Sequence, residues 1–468
     1  MQNNAEKRKH NLGRDKFVTS LGVIAATLGS AIGLGNIWKF PFLAGQNGGA
    51  AFILIYLICL ILVGLPLLLS ELIIGRTTNA NPVGAFKKLA PRTPWFLTGL
   101  TGCISAFLIM AFYSNVAGWV YAYIFKAASR VLSTTKPEIT GSVFNTFVSG
   151  VGEPLFWQFM VLLVTSCIIL AGVSNGIERV TKILMPILFF LLIISDLRAL
   201  TLPNAWEGVK FLFQPDFSKI TGAVVLTALG LSFFKLSIGI GTMVTYGSYI
   251  SKKENLVSTA AKVALSDTLV SILAGLAIFP AVFAFGFQPD AGASLLFITI
   301  PTVFSSMPLG NVFMVLFFIL SAIAATTAIT SMFEVPVAYF TEEFKLSRPK
   351  AVLLTLGALM LVGSTATLSF SVLSDFKLFG KTMFDLFDYT TSNILMPLAG
   401  LATAVFLAWK WGFKNIAQEA SNNGKIQNIR LLRIITLILK YITPVAIILV
   451  LLSGLNFLNP ILKLLHLY

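Results

Sequence analysis

Long apolar runs separated by short charged or turn-rich loops recur along the whole chain. The pattern predicts eleven membrane helices, near residues 17–45, 50–75, 96–126, 155–172, 177–200, 221–250, 256–286, 311–341, 350–370, 383–410 and 431–456. A weaker apolar stretch over 292–308 predicts a re-entrant or surface segment. The first run is Gly-rich, ends in Phe40-Pro41 and has no small-residue exit, so it is expected to be a span rather than a cleaved leader.

Composition agrees with a lipid-solvated chain. Of 468 residues 56% are hydrophobic and 11% are charged, whereas soluble domains carry roughly a quarter charged. A net charge of +15 would suit nucleic acid, but its distribution follows topology. With the N-terminus inside, 22 Lys and Arg fall in the tail and the loops on its side and 10 on the other, with Lys235 and Lys440 inside spans. This asymmetry places the N-terminus in the cytoplasm and, after eleven spans, the C-terminus outside. His10 and His466 are the only histidines, which excludes His-based catalysis and metal clusters. Cys59, Cys103 and Cys167 lie in apolar runs and read as small hydrophobes.

Span one carries Ala31-Ile32-Gly33-Leu34-Gly35 and span six carries Ser237-Ile238-Gly239-Ile240-Gly241, at an offset of 206 residues. Each lies midway along its span, where glycine costs about 1 kcal/mol per residue in a helix interior. One such motif alone reads equally well as small-residue helix packing. Two of them, five spans apart, point to broken helices in two halves that enter the membrane in opposite senses. Matching interruptions in inverted halves mark a secondary-transporter site at the midplane. Unwound backbone there offers amide N–H groups to a carboxylate and carbonyls to Na⁺ or an ammonium. An α-amino acid carries both charges.

The run from Gly29-Ser30-Ala31 through Gly35-Asn36-Ile37-Trp38-Lys39-Phe40-Pro41, then Asn47-Gly48-Gly49, resembles the first-helix signature of the neurotransmitter:sodium symporter family. Further likenesses are Gly176-Ile177-Glu178-Arg179, Pro215-Asp216-Phe217, Phe233-Phe234 with Leu236-Ser237, Thr245-Tyr246-Gly247-Ser248-Tyr249 and Lys345-Leu346-Ser347-Arg348. Together they cover spans one to ten, and eleven spans resemble a bacterial branch of the family. The resemblance implies an all-α membrane protein of LeuT fold, a single transmembrane domain over 1–468. It has a 5+5 inverted repeat over 1–200 and 201–412, an additional helix at 431–456, and helices one and six broken at the midplane. It further implies a multi-pass symporter of a bacterial inner membrane, not an enzyme, working as a monomer or within a dimer and needing no nucleic acid.

The same resemblance assigns residues. Backbone of Ala31, Gly35 and Phe234, with Ser237, is expected to hold the substrate's charged ends. Tyr113 is expected to bind its carboxylate, and Phe234 to close over its side chain. Leu34, Ile109, Ile240, Ala328 and Met332 form the expected pocket wall, apolar and suited to a neutral hydrophobic amino acid. Gly33 stands where amine-transporting relatives have an aspartate, so the substrate must bring its own carboxylate. Lys39 and Asp388, with Tyr113 and Phe234, form the expected extracellular gate, and Arg14 with Glu342 the cytoplasmic one.

The chain departs from the family at Lys235, where relatives place a neutral ligand of the first sodium. Lys235 is about 14 residues, or roughly 21 Å, from either end of span six, and a lysine reaches only about 6 Å. An unpartnered charge there costs about 2.5 kcal/mol or more, so the lysine is neutral or stands beside an acid. Asp267 in span seven is the candidate. In one reading the Lys235 ammonium occupies the first sodium site among Ala31, Asn36 and Asp267. One Na⁺ is then coupled, at the second site only. Chloride is not expected, since Leu231 replaces a chloride-coordinating glutamine although Ser271 is retained. Two readings stay open: a structural Lys–Asp pair without a role in coupling, and a lysine that releases its proton each cycle to drive proton-coupled transport. The second sodium site falls to carbonyls of Gly29, Ile32 and Ala324 and to Thr327, with Ala328 where a second hydroxyl belongs. A one-residue bulge would offer Thr326 and Thr327 instead. Glu71 and Glu334 read as helix–helix hydrogen-bond partners.

Other classes fare worse. Gly380-Lys381-Thr382 mimics the end of a phosphate-binding loop, but Asp375 stands where its first glycine belongs. A sodium-independent transporter and a non-transporting amino-acid sensor remain as alternatives.

Overall fold

The computed structural model describes residues 15–286 and 295–457. Among them the regular structure is helical, apart from an isolated bridge between Leu378 and Lys381. The membrane-scale helices, in chain order, are α1 (Ser20–Ala31), α2 (Gly35–Gln46), α3 (Ala50–Thr78), α4 (Phe96–Ala128), α5 (Gly152–Leu170), α6 (Val173–Leu200), α7 (Gly222–Lys235), α8 (Thr242–Gly247), α9 (Leu256–Ala284), α10 (Gly310–Glu343), α11 (Arg348–Leu368), α12 (Met383–Trp411) and α13 (Ile429–Gly454). Nine of these pass a length and hydropathy test for crossing a membrane, and the pair α1–α2, bent by 65°, makes a tenth. The eleventh predicted span requires α7 and α8 to be joined across their break.

Local chemistry sets the ends. Thr19, Thr221 and Asn255 cap α1, α7 and α9 by accepting from the Gly22, Val224 and Ser258 amides. The helices are apolar on most faces, as buried membrane helices are, so packing decides which are central. In α10 72% of the apolar window is buried, against 28% in α13. α10 runs along α4 and also meets α1, α5 and α6, while α13 packs on the outer flank of α12. Its Val445, Ile448 and Leu449 are exposed, as side chains facing lipid are.

Short helices fill the loops: Pro82–Leu89, Pro137–Val148, Ala205–Phe213 and Phe413–Ala420. None has an apolar window long enough to appear in a span count. The predicted surface segment is a short apolar helix over Leu295–Ser305; its first residues, 292–294, lie outside the described ones.

Candidate substrate and ion site

Both predicted breaks are present, and they face each other. α1 stops at Ala31, Ile32 is extended at φ −77° and ψ 113°, and helix resumes at Gly35. Between α7 and α8 the chain passes through Ser237, Gly239 and Gly241 at φ 54°, 79° and 72°. Gly239 is required twice over: its φ is left-handed, and a Cβ there would lie 2.4 Å from the Met396 carbonyl oxygen.

Side chains take up the main-chain groups that the breaks release. The Leu34 amide donates to the Tyr113 hydroxyl at 2.9 Å and the Gly33 amide to Asn36 Oδ1 at 3.1 Å. The Gly239 amide donates to Glu71 Oε1 at 2.7 Å. Ser237 Oγ donates to the Ser30 carbonyl at 2.8 Å, which ties one break to the other.

A small cavity of ≈ 70 Å³ lies between the breaks. Of the expected substrate residues, Ala31, Gly35, Ile109, Tyr113, Phe234, Ser237, Ile240, Ala328 and Met332 line it. Leu34 does not: its side chain is 1% exposed and only its amide reaches the site, through Tyr113. The turn of the backbone at the break carries that side chain into the surrounding core. Met396 of α12, Leu231 and Ser30 also line the cavity and were not anticipated as wall residues. A Cβ on Gly33 would come 3.0 Å from the Tyr113 hydroxyl, so any side chain there would intrude on the site.

Lys235 also lines the cavity. Its side chain is 1% exposed, and its ammonium lies 3.0 Å from Asp267 Oδ2 and 2.7 Å from Ser271 Oγ. The Phe40 and Tyr56 rings flank it, with centroids at 4.1 and 5.0 Å. Asn36 Nδ2 donates to Asp267 Oδ1 at 2.5 Å and to Ser271 Oγ at 3.0 Å. Of the residues expected at the first sodium site, Asn36, Lys235 and Asp267 are thus joined with Ser271 in one buried network from α2, α7 and α9, while Ala31 lines the cavity without a bond to them.

At the expected second site, α1 and α10 touch: a Cβ on Gly29 would be 3.2 Å from Thr327 Cβ. Ile32 and Ala324 are fully buried beside them, and the Thr327 hydroxyl donates back to the Ile323 and Ala324 carbonyls. α10 carries no bulge, and the Thr326 hydroxyl pairs with Tyr121 at 2.7 Å. That places Thr327, and not Thr326, against α1. Ala328 faces Gly33, its Cβ 3.6 Å from where a Gly33 Cβ would stand.

The two expected gates differ. Lys39 and Asp388 form no ion pair within 4.0 Å. The Lys39 ammonium lies 5.0 Å from the Phe234 ring centroid, and Asp388 accepts from Ser392 at 2.9 Å. On the opposite side Arg14 lies outside the described residues. Glu342 accepts from the Asn81 amide at 2.7 Å and from its side chain at 3.0 Å. Nearby, Arg348 holds the fully buried Glu334 through two bonds of 3.0 and 2.6 Å, and Tyr249 donates to the same carboxylate at 2.7 Å. The Phe17 amide donates to the Tyr249 carbonyl at 3.1 Å. The start of span one is thereby tied to Tyr249 on this side.

Two interrupted helices, enclosing a cavity that carries buried polar groups, define a secondary transporter of LeuT fold. The chain belongs to the sodium:neurotransmitter symporter family, whose model matches residues 14–147 and 144–464. It is 43% identical to the sodium-dependent transporter YhdH of Bacillus subtilis, over 95% of this chain and 98% of that one. To a sodium-dependent transporter of Haemophilus influenzae it is 35% identical, over 95% and 99%. Among solved structures, MhsT in complex with L-phenylalanine superposes with a TM-score of 0.86 at 41% identity, covering 94% of this chain and all of that one. The protein is accordingly a multi-pass, sodium-dependent transporter and not an enzyme.

Proposed function

We propose that this transporter carries a neutral, hydrophobic α-amino acid inward with one Na⁺, and that the Lys235 ammonium replaces a first sodium. The observation that carries the reading is the position of that ammonium. It forms part of the cavity wall and is held between Asp267 and Ser271. A fixed cation there meets the substrate carboxylate directly, and Asp267 neutralises it when the cavity is empty. Fixed charges of both signs also remove the need for chloride. The part of the wall formed by Ile109, Ile240, Ala328, Met332 and Met396 is apolar, which suits an apolar side chain. MhsT, the related structure with L-phenylalanine bound, supports an amino acid as substrate.

Sodium then binds at Gly29, Ile32, Ala324 and Thr327, without a second hydroxyl. Topology follows the charge asymmetry: a bacterial inner membrane, the N-terminus in the cytoplasm and the C-terminus outside. Lys39, Asp388 and Phe234 close the outer side and Glu342 the inner, with the monomer as functional unit.

The test is coupled flux in proteoliposomes with radiolabelled amino acids and ²²Na⁺, with chloride replaced by gluconate. One sodium per substrate and no chloride effect are expected. Two sodiums per substrate would defeat the lysine substitution while leaving amino-acid transport intact. Proton flux locked to turnover would move Lys235 from a fixed cation to a proton carrier.

A further inference from the structure

Two basic residues of α13 stand against aromatic rings at its junction with the end of α12 and the short helix that follows. Lys440 Nζ lies 4.7 Å from the Trp409 ring centroid and 5.4 Å from that of Tyr441. Arg433, roughly one and a half to two turns earlier, lies 5.8 Å from the Phe413 ring, just past the end of α12. The Trp409 indole N–H donates to the Lys440 carbonyl at 3.2 Å. Lys440 is therefore level with the last turn of α12, which ends at Trp411. It sits at the depth where Trp and Tyr collect at a membrane surface, not in mid-bilayer as its place in an apolar run suggests.

The charge at this place is one-sided. Residues 405–445 hold Lys410, Lys414, Lys425, Arg430, Arg433 and Lys440 against a single acid, Glu419. Glu419 is already bonded to Arg76 and Lys252. The surroundings are apolar and outward-facing: Trp409 and Tyr441 are 58% and 55% exposed, and Ile434, Leu437, Ile442 and Val445 are exposed beside them. A purely aqueous face would not present that surface. Uncompensated cations set in an aromatic rim beside an apolar belt match an amphiphile with a phosphate at its head and acyl chains below.

We propose that the crevice between the ends of α12 and α13 binds the headgroup of an anionic phospholipid, with Lys440 and Arg433 as its phosphate ligands and the α13 face below as the bed for its acyl chains. Only the choice of the cytoplasmic leaflet rests on the topology proposed above. Each basic residue near a charged membrane surface contributes about fivefold to affinity.

The full-length transporter in detergent, titrated with phosphatidylglycerol or phosphatidylcholine and read by native mass spectrometry, tests this without any transport measurement. Preference for phosphatidylglycerol is expected. Lys440→Gln with Arg433→Gln should weaken it at least about tenfold, and Lys440→Arg should retain it. Lys350→Gln with Lys253→Gln, which removes the same charge elsewhere on the same side, should leave it unchanged. If the patch double variant does not fold, Lys440→Gln alone should show about a fivefold loss. Equal binding of the two lipids, or equal losses in the two double variants, would overturn the proposal. So would displacement of the lipid by millimolar inorganic phosphate, since the ligand would then be a soluble anion.

Discussion

The Ser237 hydroxyl donates to the Ser30 carbonyl at 2.8 Å, and this bond joins the break after α7 to the break after α1. Ser237 is itself in the left-handed region at φ 54°, which a non-glycine residue adopts at a cost. Ser237→Ala keeps that strain and removes the bond. A hydrogen bond of this kind contributes about 1 kcal/mol, so substrate affinity should fall about fivefold in a radioligand binding assay. Ser237→Gly relieves the strain as well and should retain better thermal stability than Ser237→Ala at a similar affinity. Unchanged binding in both variants would separate the tie from the site.

The Lys235–Asp267 pair supports a sharper prediction. Removing one partner of a buried ion pair costs about 3–5 kcal/mol, whereas replacing both by apolar groups is often neutral. Lys235→Met should therefore melt well below the parent protein, and Lys235→Met with Asp267→Leu should recover much of the difference without recovering transport. Lys235→Thr recreates a neutral ligand beside Asp267, Asn36 and the Ala31 carbonyl. If the ammonium stands in for a cation, this variant should be stabilised by Na⁺ over choline more strongly than the parent. The substitution idea is falsified if its melting temperature is indifferent to sodium.

The parts of the site that were legible in the chain each carried a physical conflict. Paired glycines midway along Ala31–Gly35 and Ser237–Gly241 oppose helix where helix is otherwise obligatory, and the breaks are where they stand. A lysine too deep to snorkel demanded an acid, and Asp267 is in contact with it. Met396 and Leu231 carried no such signal. In a helix that is apolar on every face, periodicity does not mark which side a neighbour will leave open, so their place on the cavity wall depends on how α12 and α7 tilt. Leu34 was misplaced for the converse reason: the break that exposes its amide turns its side chain away. Lys440 counted as intramembrane because it lies well inside the apolar run 431–456, and the Trp409 contact is what gives its level. Lys39 stands over the Phe234 ring and Asp388 accepts from Ser392, and no residue pattern encodes that choice of partners.

The second sodium site can be tested by adding a ligand as well as by removing one. Thr327 stands against Gly29, Thr326 is turned to Tyr121, and Ala328 faces the break at Gly33. Thr327→Val should raise the sodium concentration needed for half-maximal substrate binding about tenfold, the effect of about 1.4 kcal/mol. Ala328→Ser places a hydroxyl beside the break and should lower that concentration. Thr326→Val should leave it unaltered. A sodium dependence governed by Thr326 would require α10 to shift by one residue on binding.

Glu178 closes the start of α1, and Gly22 leaves the room for it to do so. The carboxylate accepts from the Val18 amide at 2.6 Å, the Thr19 amide at 3.1 Å and the Thr19 hydroxyl at 2.7 Å. A Cβ on Gly22 would lie 2.1 Å from Glu178 Oε1, so even alanine must push the carboxylate off the helix end. Because the obstructed atom is the tip of a side chain, the backbone can stay in place, and the cost is the three bonds. An acid at a helix N-terminus also favours the helix dipole, and that contribution goes with them. Gly22→Ala should therefore lower thermal stability by about 1–3 kcal/mol and speed hydrogen exchange at the Val18, Thr19 and Gly22 amides. Glu178→Gln keeps one acceptor oxygen and should do less. Native-like protection of those amides in Gly22→Ala would mean that Glu178 is not what holds this end of span one.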